Sequence, residues 1–213
     1  VSTIAVLLLL AFAFSGTIAT GVFERALEKA GARAASGDDL VIGAPGSSLD
    51  LGLATGYLRS EDPLPLLPWS VMEGLAKDPR VAAVCPLACA DHYLGFPIIG
   101  AGAGLERLRP SLKATAGTWP VVPFEAIVGA STGLGISDVF EGSHGVHDAE
   151  GVEEEEHEEA SYRVVGLLAA TGTPWDRAIV VPIEGIWRLH EATLLDLAKR
   201  TMVSAILVKP RDF

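Results

Sequence analysis

The chain reads as an α+β domain carried behind one N-terminal membrane-spanning helix. The twenty residues from Thr3 to Val22 hold no charged side chain. Short apolar runs bounded by Gly, Pro and Asp follow, mixed with a few helical segments and without the regular spacing of βαβ units. Composition points the same way: 49% of the 213 residues are apolar and 20% are charged, too apolar for a disordered chain. A formal charge of −11 argues against a nucleic-acid partner held by general electrostatics. Two cysteines cannot form a disulfide framework, and the length is enough to bury a core without one.

Residues 1–23 are assigned to the transmembrane helix, because about 20 helical residues span the hydrocarbon thickness of a bilayer. Gly16 and Gly21 are tolerated there, since lipid offers the backbone no competing water. A cleaved signal peptide is the rival reading, but its apolar core is about 7–15 residues long, and no basic residue precedes this run. Arg25, Lys29 and Arg33 follow the helix, so the flanking charges alone would put the next segment in the cytoplasm, although large domains translocate regardless of charge.

Residues 24–36 continue as a stalk helix, with Glu24 and Glu28 set before Arg25 and Lys29 and a stop at Ser36-Gly37. Residues 37–213 form the α+β domain. A strand at 39–44 is closed by Pro45-Gly46. Pro63, Pro65 and Pro68 make an extended loop, and a helix over 69–77 ends at Asp78-Pro79. Further strands are predicted at 80–84, 96–99, 124–128, 137–141, 162–168, 178–182 and 203–208, with helix near 184–198.

Residues 142–160 are predicted to be an acidic loop. Between His147 and Glu159 lie seven glutamates, which repel one another and cannot bury a face. His144, His147 and His157 are the candidate metal ligands. Imidazole with carboxylate suits Zn²⁺; the alternative is a solvated loop with incidental histidines.

Other patterns are read structurally. Gly129-Ala-Ser131-Thr-Gly133 matches a nucleophile elbow, with Asp176 and His190 following in order, but the residues after Ser131 return to a β pattern, which favours a tight turn. Gly100-Ala-Gly102-Ala-Gly104 lacks the residues of a nucleotide-binding loop and predicts a mobile connection. Cys85 and Cys89 are either buried thiols or, in an oxidising compartment, a pair. Trp175 and Trp187 are expected to pack the sheet, and Arg177 with Asp176 to anchor a loop.

Several phrases, in order, resemble one family. They are Asp39-Leu-Val-Ile-Gly-Ala, Asp78-Pro-Arg-Val with Cys85-Pro-Leu and Gly95-Phe, Pro123-Phe-Glu-Ala-Ile-Val-Gly-Ala, Gly142-Ser-His-Gly, and Tyr162-Arg-Val-Val-Gly-Leu-Leu with Thr171-Gly-Thr-Pro-Trp-Asp-Arg. Together they resemble ABC transporter permeases of the FtsX-like family that carry a MacB-like periplasmic core domain.

The resemblance implies a permease subunit of the bacterial inner membrane whose main domain lies outside the cytoplasm, against the flanking-charge count. It implies a fragment, with three more helices expected after Phe213. It implies a cytoplasmic ABC ATPase as a separate subunit, a second permease protomer, and a periplasmic or lipoprotein partner. ATP would act only through the partner subunit, so this chain is expected to be no enzyme and to hold no cofactor of its own apart from the candidate Zn²⁺. Glu24 to Arg33 are the residues expected to relay motion. A membrane-anchored metal-binding module using the His/Glu-rich loop is the alternative function.

Overall fold

The computed structural model describes residues 2–35, 40–59, 64–144, 155–189 and 202–211. It divides into two compact units, residues 1–36 and 37–213.

The first unit is a single helix, α1 (Ser2–Ala35). Its segment Thr3–Phe23 is long and apolar enough to cross a membrane. Large apolar side chains such as Phe12 stand fully outward, at 81% exposure, which water would penalise and lipid would not. The hydroxyls of Thr17 and Thr20 donate back to the carbonyls of Ala13 and Gly16, both at 3.0 Å. No polar side-chain group of these two residues is therefore left unbonded in an apolar medium.

The second unit is built on a nine-stranded mixed sheet. Its strands are β1 (Leu40–Ile42), β3 (Val81–Tyr93), β4 (Phe96–Ala101), β5 (Ala114–Gly117), β6 (Glu125–Val128), β7 (Val139–His144), β8 (Glu155–Leu168), β9 (Ile179–Pro182) and β11 (Ala205–Pro210). The order across the sheet is β1-β11-β3-β4-β9-β6-β8-β5, while β7 pairs with both β8 and β3. This last pairing closes a ring, β3-β4-β9-β6-β8-β7 and back to β3. The closing link consists of two register pairs, Asp91 with His144 and His92 with Ser143. A separate two-stranded piece joins β2 (Leu67–Pro68) to β10 (Met202–Val203).

Alternation along the strands divides the core in two, because successive side chains of a strand face opposite sides. Ile98, Ala126, Val128, Ile179, Val181 and Ile206 fall in one buried cluster, with Phe140 and Tyr162. Ile99, Ile127, Val180 and Leu207 fall in the other. The first cluster is covered by α3 (Trp69–Lys77), through Trp69, Met72 and Leu75, and by α5 (Ile183–Leu189), through Ile183 and Ile186. Trp69 meets Trp187 edge to face at 5.2 Å, and the Trp187 indole N–H donates to the Met202 carbonyl at 2.9 Å. The second cluster is covered by Leu58, by Leu105 and Leu108 of α4 (Leu105–Leu108), and by Trp175. One further short helix, α2 (Ser48–Gly52), is capped by the Ser47 hydroxyl, which accepts from the Asp50 N–H.

Several sequence expectations change. The strand predicted at 80–84 runs on to Tyr93. The strand predicted at 137–141 starts at Val139, since Ser137 turns at φ 76°. β5, a small-residue edge strand, was not foreseen. The predicted acidic loop 142–160 is strand at both ends, because β7 continues to His144 and β8 begins at Glu155. An antiparallel pair does not need to bury a face, so charge did not prevent pairing. The middle of that segment, including His147, lies outside the described residues, as do His190 and the rest of the helix predicted to 198.

The glycine run is ordered. Gly100 belongs to β4, and the Gly102 N–H donates to the Pro86 carbonyl at 2.9 Å. A Cβ at Gly100 would lie 2.6 Å from Ile186 Cγ1, and one at Gly102 2.6 Å from Pro86 Cγ. The glycines serve close packing rather than a mobile connection.

Candidate functional site

Two regions of the domain hold polar side chains in defined contacts. At the first, the chain's opening and closing strands meet: Leu40 is the register partner of Val208, and β11 in turn pairs with the start of β3. The Arg211 N–H donates to the Arg80 carbonyl at 2.8 Å, and Arg211 Nε donates to the Val81 carbonyl at 3.2 Å. Arg80 in turn grips Asp78 through Nη2 to Oδ2 at 2.7 Å and Nε to Oδ1 at 3.0 Å. These bonds from Arg80 hold the Asp78 carboxyl down at about 2. The end of the last strand is thereby clipped to the root of β3. A cavity of about 40 Å³ beside this region is lined by Gly43, Ser47, Asp50, Leu64 and Ser204, room for little more than a water.

The second region is the seam that closes the ring. Asp91 is 5% exposed. Its register partner is His144, whose partner on the far side is Glu155, so these three residues form one row across β3, β7 and β8. In the adjacent row, the Ser143 hydroxyl lies 3.1 Å from Nδ1 of His92. Tyr162 is fully buried at 0% exposure, stacked on Phe140 at 5.5 Å, and its hydroxyl has no hydrogen-bond partner. Burial first, and then the charge on Asp91, push that phenol well above the usual tyrosine range. Gly142 passes between: a Cβ there would meet Ile98 Cδ1 at 3.0 Å, the Tyr162 ring at 3.7 Å and Asp91 Cβ at 3.9 Å.

Of the sequence-predicted metal ligands, His144 is placed at the seam and His157 lies on β8, both through their backbones, while His147 lies outside the described residues. Among the described side chains, no three His, Cys, Asp or Glu groups converge on a metal-sized space. Sequence reasoning missed Asp91, which lies 53 residues before His144. Its only signal was a polar pair, Asp91-His92, inside an otherwise apolar strand.

The remaining motifs resolve into structure. After Ser131 no helix follows, and the Thr132 hydroxyl donates to the Gly129 carbonyl at 2.9 Å to form a tight turn. The Asp176 carboxylate accepts from the Thr171 N–H and hydroxyl at 2.7 Å and from the Gly172 N–H at 2.8 Å. It therefore ties a loop. Burial pushes Asp176 up, but these bonds outweigh it and leave its carboxyl below the usual value. Arg177 does not share that role: its guanidinium sits 4.9 Å from the centre of the Phe96 ring. Neither Cys85 nor Cys89 is in a disulfide. Four apart on one extended strand, they cannot approach to the Cβ distance of about 4 Å that a disulfide requires.

No protein-family model matches this sequence, and no curated protein matches it. Solved structures do match. The periplasmic region of MacB from Actinobacillus actinomycetemcomitans is similar with a TM-score of 0.50 and 12% identity, covering 81% of this chain and 73% of that one. The extracellular domain of the noncanonic ABC-type transporter YknZ from Gram-positive bacteria aligns with a TM-score of 0.47 and 11% identity, covering 81% of this chain and 82% of that one. The α+β domain thus has the fold of the MacB periplasmic region.

Proposed function

We propose that this chain is part of the permease subunit of an ABC-type transporter, comprising its first membrane-spanning helix and its extracytoplasmic domain. The observation that carries the reading is the MacB-like fold lying directly behind a helix able to span a bilayer. In this reading the domain stands outside the cytoplasm. The ATP chemistry belongs to a separate ATPase subunit, and this chain transmits motion, with a second permease protomer completing the assembly.

The geometry suits mechanical coupling. The first and last strands of the domain are neighbours, so displacements arriving through either end act on one place. The Arg211 clip passes them to β3. Rigid elements joined in series can carry a displacement without a change in their own fold.

Two measurements test this. The coding DNA beyond Phe213 should continue into three more apolar stretches of about 20 residues beside an ATPase gene; a stop directly after Phe213 overturns the permease assignment. For sidedness, Ser131→Cys introduces a thiol at an exposed turn. A membrane-impermeant maleimide should label it in intact spheroplasts, and labelling only after lysis would put the domain on the wrong side.

A further inference from the structure

We propose that the β3–β7 seam is a joint at which the ring opens as a local unit while the rest of the sheet stays paired, with the contact between His92 and Ser143 as its latch. The inference concerns the domain's own fold and does not depend on the permease reading.

The argument begins with the space that β3 leaves for β7. β4 pairs with β3 at Leu87 and again at Asp91 and His92, so β11 and β7 share the opposite edge of β3. On that edge β11 occupies the strand up to Leu87, and the Cys89 N–H is taken by the Ser204 hydroxyl at 3.0 Å. At the other end the chain turns back through Leu94 and Gly95, whose φ angles are 48° and 75°. Only residues 90–93 are therefore open to β7, and the pairs formed there are Asp91 with His144 and His92 with Ser143. The link between β6 and β9 also rests on two register pairs, but it is continued by the Gly129 N–H to the Ala178 carbonyl at 2.8 Å and the Ser131 N–H to the Asp176 carbonyl at 2.7 Å. Its residues Ile127, Val128, Ile179 and Val180 are fully buried, whereas His92 and Ser143 are only half-buried.

Hinges supply the second line. Register breaks beside the seam on both of its strands: between Cys89 and Asp91 in the β3–β4 ladder, and between Glu141 and Ser143 in the β7–β8 ladder. A bulge interrupts the ladder locally and bends its strand. Each side of the seam can therefore turn without unpairing the longer ladder behind it.

The third line is hydration. The Tyr162 hydroxyl is buried with no hydrogen-bond partner, and the Tyr162 ring packs directly against Gly142 of the seam strand. Closure strips that hydroxyl of water and returns no bond, so opening recovers what closure costs it. Against opening stand the short ladder and the Ser143 hydroxyl, 3.1 Å from Nδ1 of His92. A short, half-buried ladder between two hinges is the kind of segment that opens well below the free energy of global unfolding.

The test is amide hydrogen exchange on the full chain in detergent micelles, comparing residues 91–93 and 139–144 with β9 and β11. The two seam segments should exchange together and at least about tenfold faster than β9 and β11. Ser143→Ala removes the latch and should speed both segments by one common factor, roughly two- to tenfold for a single hydrogen bond, while Tyr162→Phe should slow both. His92→Cys combined with Ser143→Cys places two thiols on directly opposed residues, whose Cβ atoms stand about 4.5–5.5 Å apart. Oxidised, this pair should slow the seam to the rate of β9; reduced, it should release it. Seam exchange as slow as that of β9 and β11 in the unmodified chain overturns the proposal. So does fast exchange on β7 that the cross-link leaves unchanged, which would be fraying of a strand end. Should the pair fail to oxidise, Ser143→Ala decides: an effect on one strand alone, or on neither, overturns the joint.

Discussion

Tyr162→Phe should stabilise the domain. The Tyr162 hydroxyl is 0% exposed and makes no hydrogen bond, so folding strips it of water and returns nothing. A buried polar group left unbonded costs roughly 1–3 kcal/mol. Phenylalanine keeps the ring that stacks on Phe140 at 5.5 Å and packs near Phe124 at 5.8 Å, so the substitution removes the penalty and little else. Allowing for the small space the oxygen vacates, the net gain is about 1 kcal/mol, which for a domain of this size raises the melting temperature by roughly 2–4 °C. The assay is thermal unfolding by circular dichroism in micelles with a chelator present. A fall in stability of about 1 kcal/mol or more would refute the reasoning, because it would mean that the hydroxyl has a partner.

Gly129→Ala should destabilise severely, by more than about 2 kcal/mol, because its Cβ would fall 2.3 Å from the Trp175 carbonyl oxygen and 2.4 Å from that of Asp176; chemical denaturation measures it. Asp176, with its carboxyl held below the unfolded value, contributes stability that is present above the ordinary aspartate range and lost as pH falls through the folded value. Asp176→Asn should therefore lower stability at neutral pH by roughly 1 kcal/mol and flatten the acid limb of a stability–pH curve. Burial pushes the Cys89 thiol up to about 12, so the thiolate is scarce at pH 8. Labelling of Cys85 and Cys89 by a thiol reagent should be slow in the native chain and fast in denaturant, and rapid native labelling of both would contradict the packing.

Local signals carried much of the fold. α3 was legible to the residue because Asp78-Pro79 ends it and the apolar residues Trp69, Met72 and Leu75 repeat at helical spacing. β4, β6 and β9 were legible as short apolar runs between turns. The far half of β3 was hidden by Pro86, which ordinarily argues against a central strand. Here the Pro86 carbonyl faces Gly102, one residue beyond the end of β4, so the missing N–H falls where the neighbouring ladder has already stopped. The closing seam was less legible. His144 drew attention through its acidic neighbours, but its pairing with Asp91 depends on a closing link between strands far apart in sequence, which no local pattern encodes.

In the mechanical reading proposed above, one strand lies on the direct path. β3 is 13 residues long, up to about 43 Å of extended backbone. It pairs with β11 at its root, with β4 along its outer half, and with β7 at Asp91 and His92. A displacement entering beside β1 and β11 therefore reaches the seam along a single covalent strand, with no loop in the path. The irregularity between Cys89 and Asp91 is where that strand can bend, because a bulge locally breaks the ladder and sharpens the twist. It lies immediately before the two pairs that close the ring, so motion delivered through the stiff part of β3 would act on the seam first.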